Sequence, residues 1–154
     1  MSHSSFSEFF PKIAGKETRV ITILENSDTG LPGGRYALIE HYCADTDCDC
    51  RNVFIRVTDI QSQQSQATIS YGWEPISYYK KWMGERENDE DKFILENFKG
   101  PGLVPFAIQS QYANHWLEFF KELIRTDKDY AERLKRHYRL VKQAVDSGKS
   151  PKLR

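Results

Sequence analysis

The chain has 154 residues, of which 39% are hydrophobic and 13% aromatic, and its 22 basic residues balance its 22 acidic ones. This length and apolar content suit one domain with its own core, and they exclude a disordered chain. The balanced charge excludes a whole-molecule field that would draw the chain to nucleic acid or to an anionic membrane surface.

The amino-terminal segment lacks the basic start and apolar stretch of a secretory signal, and no apolar run approaches the roughly 20 residues that cross a bilayer. The chain has three cysteines, an odd number that makes a poor disulfide framework. A metal or thiol site in a reducing compartment fits them better. We therefore expect a cytoplasmic protein with no membrane partner.

The first half of the chain predicts β-strands separated by turns. Segment 26–34 is dense in residues that favour turns, and 61–66 is a short polar connection. Neither is long enough for a crossover helix, which favours an antiparallel meander over a parallel sheet. The predicted meander has about four strands, at 19–25, 36–43, 53–60 and 67–73.

The second half changes to helical spacing. Short helices are predicted at 75–83 and, after a charged connection at 85–91, at 92–98. Apolar residues from Tyr112 to Ile124 recur as on one helix face, and a last helix is predicted to start at Thr126 and to end at Gly148. Strands followed by three to four helices indicate an α+β fold in a single domain over 1–154, with mobile ends at about 1–15 and 149–154.

The cysteines Cys43, Cys48 and Cys50 all fall in the short segment 43–50. Alternate residues of a strand share a face, so His41 and Cys43 should project together at the end of one strand. Cys48 and Cys50 should share a side at the start of the next. Thiolates and imidazole are the ligands that zinc prefers, so the segment predicts a structural zinc site with Cys43, Cys48, Cys50 and His41 as ligands.

Other assignments of the fourth ligand remain open at this stage. His115, His137, an aspartate of the 45–49 loop, or water could take the place of His41. The simpler alternative for the cluster is three reduced thiols in a loop, although the surrounding aspartates argue against their burial. His115 and His137 lie at the edges of apolar helix stripes, where a histidine is more often a hydrogen-bonded packing residue.

The cysteine segment also resembles a family of uncharacterised bacterial proteins with a Tyr-Cys-x4-Cys-x-Cys pattern. The matching stretch here begins at Tyr42 and continues through Cys50 to Val53. Segments 81–84 and 133–138 support the resemblance more weakly. It implies a shared fold and a shared metal site, in a domain of unknown function, and it brings no known activity.

No complete catalytic motif occurs in the sequence. We therefore expect a zinc-stabilised module that binds a protein or a small ligand. The alternatives are a thiol- or metal-dependent enzyme that uses the Cys43, Cys48 and Cys50 cluster, with His41 as the base, and nucleic-acid binding through the basic last helix. Neutral overall charge disfavours nucleic acid.

Overall fold

The computed structural model describes residues 2–84, 89–149 and 151. An α+β fold is confirmed, with one antiparallel sheet of six strands. The strands are β1 (His3–Ser5), β2 (Arg19–Ile23), β3 (Gly34–Cys43), β4 (Asn52–Asp59), β5 (Ser65–Gly72) and β6 (Gly102–Leu103).

The helices lie before and after the main strands. Short helices α1 (Phe6–Phe9) and α2 (Pro11–Glu17) separate β1 from β2, and α3 (Ile76–Met83) and α4 (Asp89–Lys99) follow β5. The two long helices are α5 (Ala113–Thr126) and α6 (Lys128–Asp146). None of these helices combines the length and apolar character that a membrane span requires.

Strand β3 organises the sheet because it is paired along both edges. One edge pairs with β4, which pairs in turn with β5, as the predicted meander requires. Along the other edge β2 pairs with the first half of β3 and β1 with its last residues, from His41 to Cys43. The end of β3 that carries the first cysteine is therefore held by β1, while the pairing with β4 continues as far as His41.

One face of the sheet carries most of the core. Leu38 of β3 pairs with Val57 of β4, which pairs with Ala67 of β5, and all three side chains are buried. Helix α5 packs on this face, with the Trp116 ring 4.7 Å from that of Tyr36. Helix α6 covers the same face nearer the end of β3, where the Leu134 carbonyl oxygen lies 3.1 Å from the Tyr42 hydroxyl.

On the other face, α3 and α4 pack at the end of the sheet near the cysteines. The Phe98 ring of α4 lies 6.4 Å from that of Phe54, and its carbonyl accepts a 2.7 Å hydrogen bond from the Asn52 side chain. On α3, Trp82 stacks on the same Phe98 ring at 5.2 Å. The cysteine segment thus lies at an end of the sheet where both layers of helices meet it.

The ends of the chain were expected to be mobile. In the structure, residues 3–17 form β1, α1 and α2, and the Phe6 side chain is buried against the His137 ring at 4.0 Å. At the other end, residues 150 and 152–154 lie outside the described part. Of the charged segment 85–91, residues 85–88 also lie outside it, and 89–91 begin α4.

Candidate metal centre

The structure brings the three cysteines together. The sulfur atoms of Cys43, Cys48 and Cys50 all lie within 4.8 Å of one another. In a tetrahedral zinc site with Zn–S bonds of about 2.3 Å, two sulfurs are about 3.8 Å apart. A small closing movement would therefore let one ion contact all three, and the cluster could hold a metal ion.

The loop reaches this geometry through two residues in the left-handed backbone region. Asp47 has a φ of 62° and Arg51 a φ of 44°. Aspartate tolerates this region, whereas a long side chain such as arginine adopts it only when its surroundings hold it there. The chain therefore turns sharply just before Cys48 and again just after Cys50, and both thiols are directed back toward Cys43.

Three tyrosine hydroxyls hold the backbone around Cys50. From α3, Tyr78 donates to the Asp49 carbonyl, and Tyr79 donates to the Arg51 carbonyl at 2.8 Å. From α6, Tyr138 donates to the Asp49 carboxylate at 2.8 Å and accepts from the Arg51 N–H at 3.1 Å. The left-handed conformation of Arg51 is thus supported by hydrogen bonds on both sides, which makes the cysteine segment preorganised.

The Arg51 side chain adds a second layer of support. Its guanidinium makes two hydrogen bonds to one Asp49 carboxylate oxygen, at 2.9 and 3.1 Å, and lies 4.7 Å from the centre of the Tyr78 ring. A further carboxylate, that of Glu74, is 3.7 Å away. The Asp49 carboxylate is therefore occupied by hydrogen bonds from Arg51 and Tyr138, which makes it a poor candidate for a metal ligand.

The pKa values of the three thiols are shifted in different directions. The pKa of Cys43 is lowered to about 6, because the Cys50 thiol donates a hydrogen bond to its sulfur, with further donation from the Asp45 N–H and from Cys48. The pKa of Cys50 is raised because its proton is held by Cys43 and because it is buried. Burial also raises the pKa of Cys48. Hydrogen bonding within the cluster therefore favours the ionised form of Cys43 over the ionised forms of Cys48 and Cys50.

A cavity of about 890 Å³ lies beside the cluster. Cys43 and Cys50 are fully buried, whereas Cys48 is half-buried and lines the cavity. The opposite wall is a face of α6 that presents Lys135, Arg139 and Lys142. The sulfur cluster is thus reached from solvent through Cys48.

His41, the predicted fourth ligand, is not grouped with the sulfurs. Among the described residues, no histidine, aspartate or glutamate has a ligand atom within 4.8 Å of all three sulfurs. The His41 Nε2 is buried with no hydrogen-bond partner in the part of the chain that the structure describes, and burial lowers its pKa to about 4. Coordination by His41 stays a prediction.

A second imidazole with a buried Nε2 lies close by. His3 is opposite Cys43 in the β1–β3 ladder, and its ring stacks on Phe54 at 4.2 Å. Its Nε2 is also buried without a described partner, and burial lowers its pKa to about 4. The sequence offered no signal for this residue, because a short serine-rich segment has no strand pattern of its own.

The two remaining histidines lie elsewhere. His115 is exposed on α5 beside a separate cavity of about 330 Å³, rather than packed beside Trp116 as expected. His137 is a hydrogen-bonded packing residue, as expected, and is fully buried. Its ring nitrogens lie 2.6 Å from Glu40 and 2.7 Å from Glu17. Sequence spacing gave no sign of these two carboxylate partners.

Comparison of the chain with protein-family models, with curated proteins and with solved structures finds no match. The resemblance to the bacterial family with the Tyr-Cys-x4-Cys-x-Cys pattern therefore stays a prediction. The class that the geometry itself defines is an α+β domain with a preorganised three-cysteine cluster at one end of its sheet.

Proposed function

We propose that this protein is a ligand-binding domain whose binding cavity is organised by a structural zinc ion on Cys43, Cys48 and Cys50. The observation that carries the proposal is the position of the cluster. Its three sulfurs lie within 4.8 Å of one another, and one of them lines a cavity of about 890 Å³. An ion there would fix the loop that forms one cavity wall.

Zinc is the ion that this ligand set favours. Thiolates are soft ligands that select zinc over magnesium or calcium, and structural zinc sites commonly contain three or four cysteines. The bent loop and the tyrosine hydrogen bonds position the sulfurs before any ion binds. This preorganisation lowers the free-energy cost of assembling the site.

The cavity supports binding of a small ligand over a thiol-dependent reaction. A reactive cysteine needs to be ionised and accessible at the same time. Here the thiol with the lowered pKa is Cys43, which is fully buried, whereas Cys48, which lines the cavity, has a raised pKa. Reactivity and access are therefore divided between two residues, which ranks the enzyme alternative second.

Nucleic-acid binding through α6 has less support, because several of its basic residues serve the fold. Arg136 pairs with Glu17 at 2.9 Å, and Arg133 donates to the Glu17 carbonyl at 2.9 Å. Lys142 donates to the Asp45 carbonyl at 3.0 Å. These contacts leave only part of the helix to attract phosphates.

The test of the proposal is zinc content. Protein purified under reducing conditions is expected to carry close to one zinc per chain by elemental analysis. Cys48→Ser should lose most of the metal and melt at a lower temperature, because ion affinity contributes to folding free energy. The control Thr46→Ser changes the same loop without removing a sulfur, and it should retain both.

Two results would contradict the proposal. One is wild-type protein that binds no transition metal after gentle purification. The other is a Cys48→Ser variant that loses zinc yet melts at the wild-type temperature, since the ion would then not organise the loop.

A further inference from the structure

We infer that this protein pairs with a second copy of itself through an uncharged surface on the β5 side of the sheet. The surface is formed by segments 61–66 and 104–111, and we call it the edge surface. It carries two exposed apolar side chains, Phe106 and Ile108. This inference is independent of the proposed zinc site and concerns a different part of the molecule.

The first observation is the distribution of charge along the chain. Charged residues make up 29% of the sequence, yet segments 60–73 and 100–114 contain no aspartate, glutamate, lysine or arginine. The structure brings these two segments together. The Val104 N–H donates to the Thr68 carbonyl at 3.0 Å. The Ser110 N–H donates to the Gln66 carbonyl, also at 3.0 Å. Depletion of charged residues is characteristic of the central part of protein–protein interfaces.

The second observation is the exposure of two large apolar side chains on one short loop. Phe106 is 100% exposed, and Ile108 is 78% exposed. Single exposed apolar residues are normal on a protein surface, whereas neighbouring ones indicate an interaction site. An aromatic side chain that becomes buried removes roughly 150–250 Å² from water, and such residues commonly dominate the energy of binding. Phe106 is therefore the expected anchor of the contact.

The third observation is that the loop is held in one conformation. The Ala107 N–H donates to the Val104 carbonyl at 3.2 Å, which closes a turn that contains Phe106. At the base of the loop, the Gln109 amide accepts from the Thr68 N–H and donates to the Thr68 carbonyl, both at 3.0 Å. Gln109 thus pairs with β5 as another strand would, which blocks strand addition there. A preorganised loop also loses little conformational entropy when a partner covers it.

A second copy is the partner that this surface fits, because the surface is compatible with itself. A two-fold axis brings the same surface of both copies together, so a charged surface would meet its own charge. The edge surface is uncharged, and the formal net charge of the chain is +0. Exposed amides such as Gln64 and Gln111 both donate and accept hydrogen bonds. The lack of basic residues disfavours nucleic acid as the partner.

The size of the edge surface determines how tightly the copies should bind. A standard interface uses roughly 20–30 residues on each side, and the two short segments supply fewer. Area alone does not fix affinity, but a small contact leaves little surplus over the entropy lost on association. We therefore expect a reversible dimer with a dissociation constant of about 1 µM or higher.

Sedimentation equilibrium of the full chain measures this association. The protein is kept reduced, so that disulfides do not join the copies, and is studied from about 10 µM to about 1 mM, a range suited to weak interfaces. The wild type should show a monomer–dimer equilibrium. A zinc chelator should leave this equilibrium unchanged, so failure of the zinc proposal and failure of this inference are distinguishable.

Phe106→Asp should raise the dissociation constant at least about thirtyfold, because both copies lose their aromatic anchor. Its melting temperature should match that of the monomeric wild type, because the replaced side chain is fully exposed. The matched control is Phe93→Asp. Phe93 is also an exposed phenylalanine, but it lies on α4, outside the edge surface. This control should leave the dissociation constant unchanged.

Two substitutions of one residue test whether the surface meets itself. Gln111→Glu and Gln111→Lys each place like charges on the two facing surfaces, and each variant alone should dimerise about tenfold more weakly than wild type. An equal mixture of the two variants should recover the wild-type affinity, because opposite charges then face each other in the mixed dimer.

Three results would overturn the inference. The first is wild-type protein that stays monomeric over the whole concentration range. The second is an equal loss of association in Phe106→Asp and Phe93→Asp, which would place the contact elsewhere. The third is a mixture of the two Gln111 variants that associates no more tightly than either variant alone, since the surface would then contact a different part of its partner.

Discussion

Tyr138 stabilises the cysteine segment through a hydrogen bond to Arg51, which lies 87 positions away in sequence. Its hydroxyl accepts from the Arg51 N–H and donates to Asp49, so one oxygen holds both residues that flank Cys50. The cysteine cluster itself was predictable, because ligand type and spacing are local. The hydroxyl contacts were not, because they depend on how α3 and α6 pack on the end of the sheet.

Tyr138→Phe tests this support. Loss of the hydroxyl removes the partner of the Arg51 N–H and of one Asp49 carboxylate oxygen, Oδ1, which should lower the free energy of unfolding by about 1–3 kcal/mol. Zinc affinity should fall by about tenfold, as it does when a residue that positions the metal ligands is lost. Urea unfolding and a competitive zinc titration measure the two effects.

Tyr130 provides the control. It is also a buried tyrosine of α6, but its hydroxyl has no hydrogen-bond partner in the described structure. Tyr130→Phe should leave zinc affinity unchanged and should not lower stability, because no hydrogen bond is lost. Equal losses in the two variants would mean that the Tyr138 hydroxyl acts only through packing.

At the scale of the elements, α2, β3 and α6 meet at His137. Its ring contacts Glu40 of β3 on one nitrogen and Glu17 of α2 on the other. Tyr42 donates to the same Glu40 oxygen at 2.7 Å. Each contact between a ring nitrogen and a carboxylate oxygen contains one proton. His137, Glu40 and Glu17 therefore form one charge-assisted hydrogen-bonded unit.

Acid should weaken this unit through Glu17. Hydrogen bonds from His137 and then Arg136 lower the pKa of Glu17 below its usual 4.5. A lowered carboxylate pKa contributes stability that is present above about pH 4.5 and is lost as the pH falls through the folded-state pKa. Glu17→Gln should therefore be less stable than wild type at pH 7, with a smaller difference at pH 3.

The effect should be modest because the Glu17 side chain is 31% exposed. Urea unfolding at the two pH values measures it. Glu118→Gln serves as the control, since its carboxylate pairs with exposed Lys121 on the surface of α5. A gap between wild type and Glu17→Gln that is the same at both pH values would show that this carboxylate does not couple acid to stability.

The elements themselves were predictable to different degrees. Alternating apolar residues identified β2 to β5, and the helical stripe identified α5 and α6. β1 was missed, because the polar His3–Ser5 segment becomes a strand only by pairing with the edge of β3. The start of α6 was placed at Thr126, but the cap is Asp127, which accepts from the Tyr130 N–H at 3.0 Å.

At the scale of the whole molecule, the cysteine cluster lies at one end of the core, because Cys43 and Cys50 belong to the same buried cluster as Trp116 and Phe120. The core lies between α5 and the middle of the sheet, where Phe120 packs on Tyr71 and Trp116 on Tyr36. The cysteine cluster lies at the end of β3, where the hydroxyls of Tyr78 and Tyr79 from α3 and of Tyr138 from α6 contact residues 49 and 51. Loss of the ion should therefore loosen one end of the domain and leave the opposite end folded.

Chelation of zinc should show this directly. At free zinc a thousandfold above its dissociation constant, the ion contributes about 4 kcal/mol, which for a chain of this size corresponds to roughly 10 °C in melting temperature. Amide hydrogen exchange should accelerate after chelation in segments 43–52 and 76–83. Exchange in α5 and in the β2–β3 pair should change little, because their contacts do not involve the cluster. A uniform rise across all segments would instead mean that the ion supports the global fold.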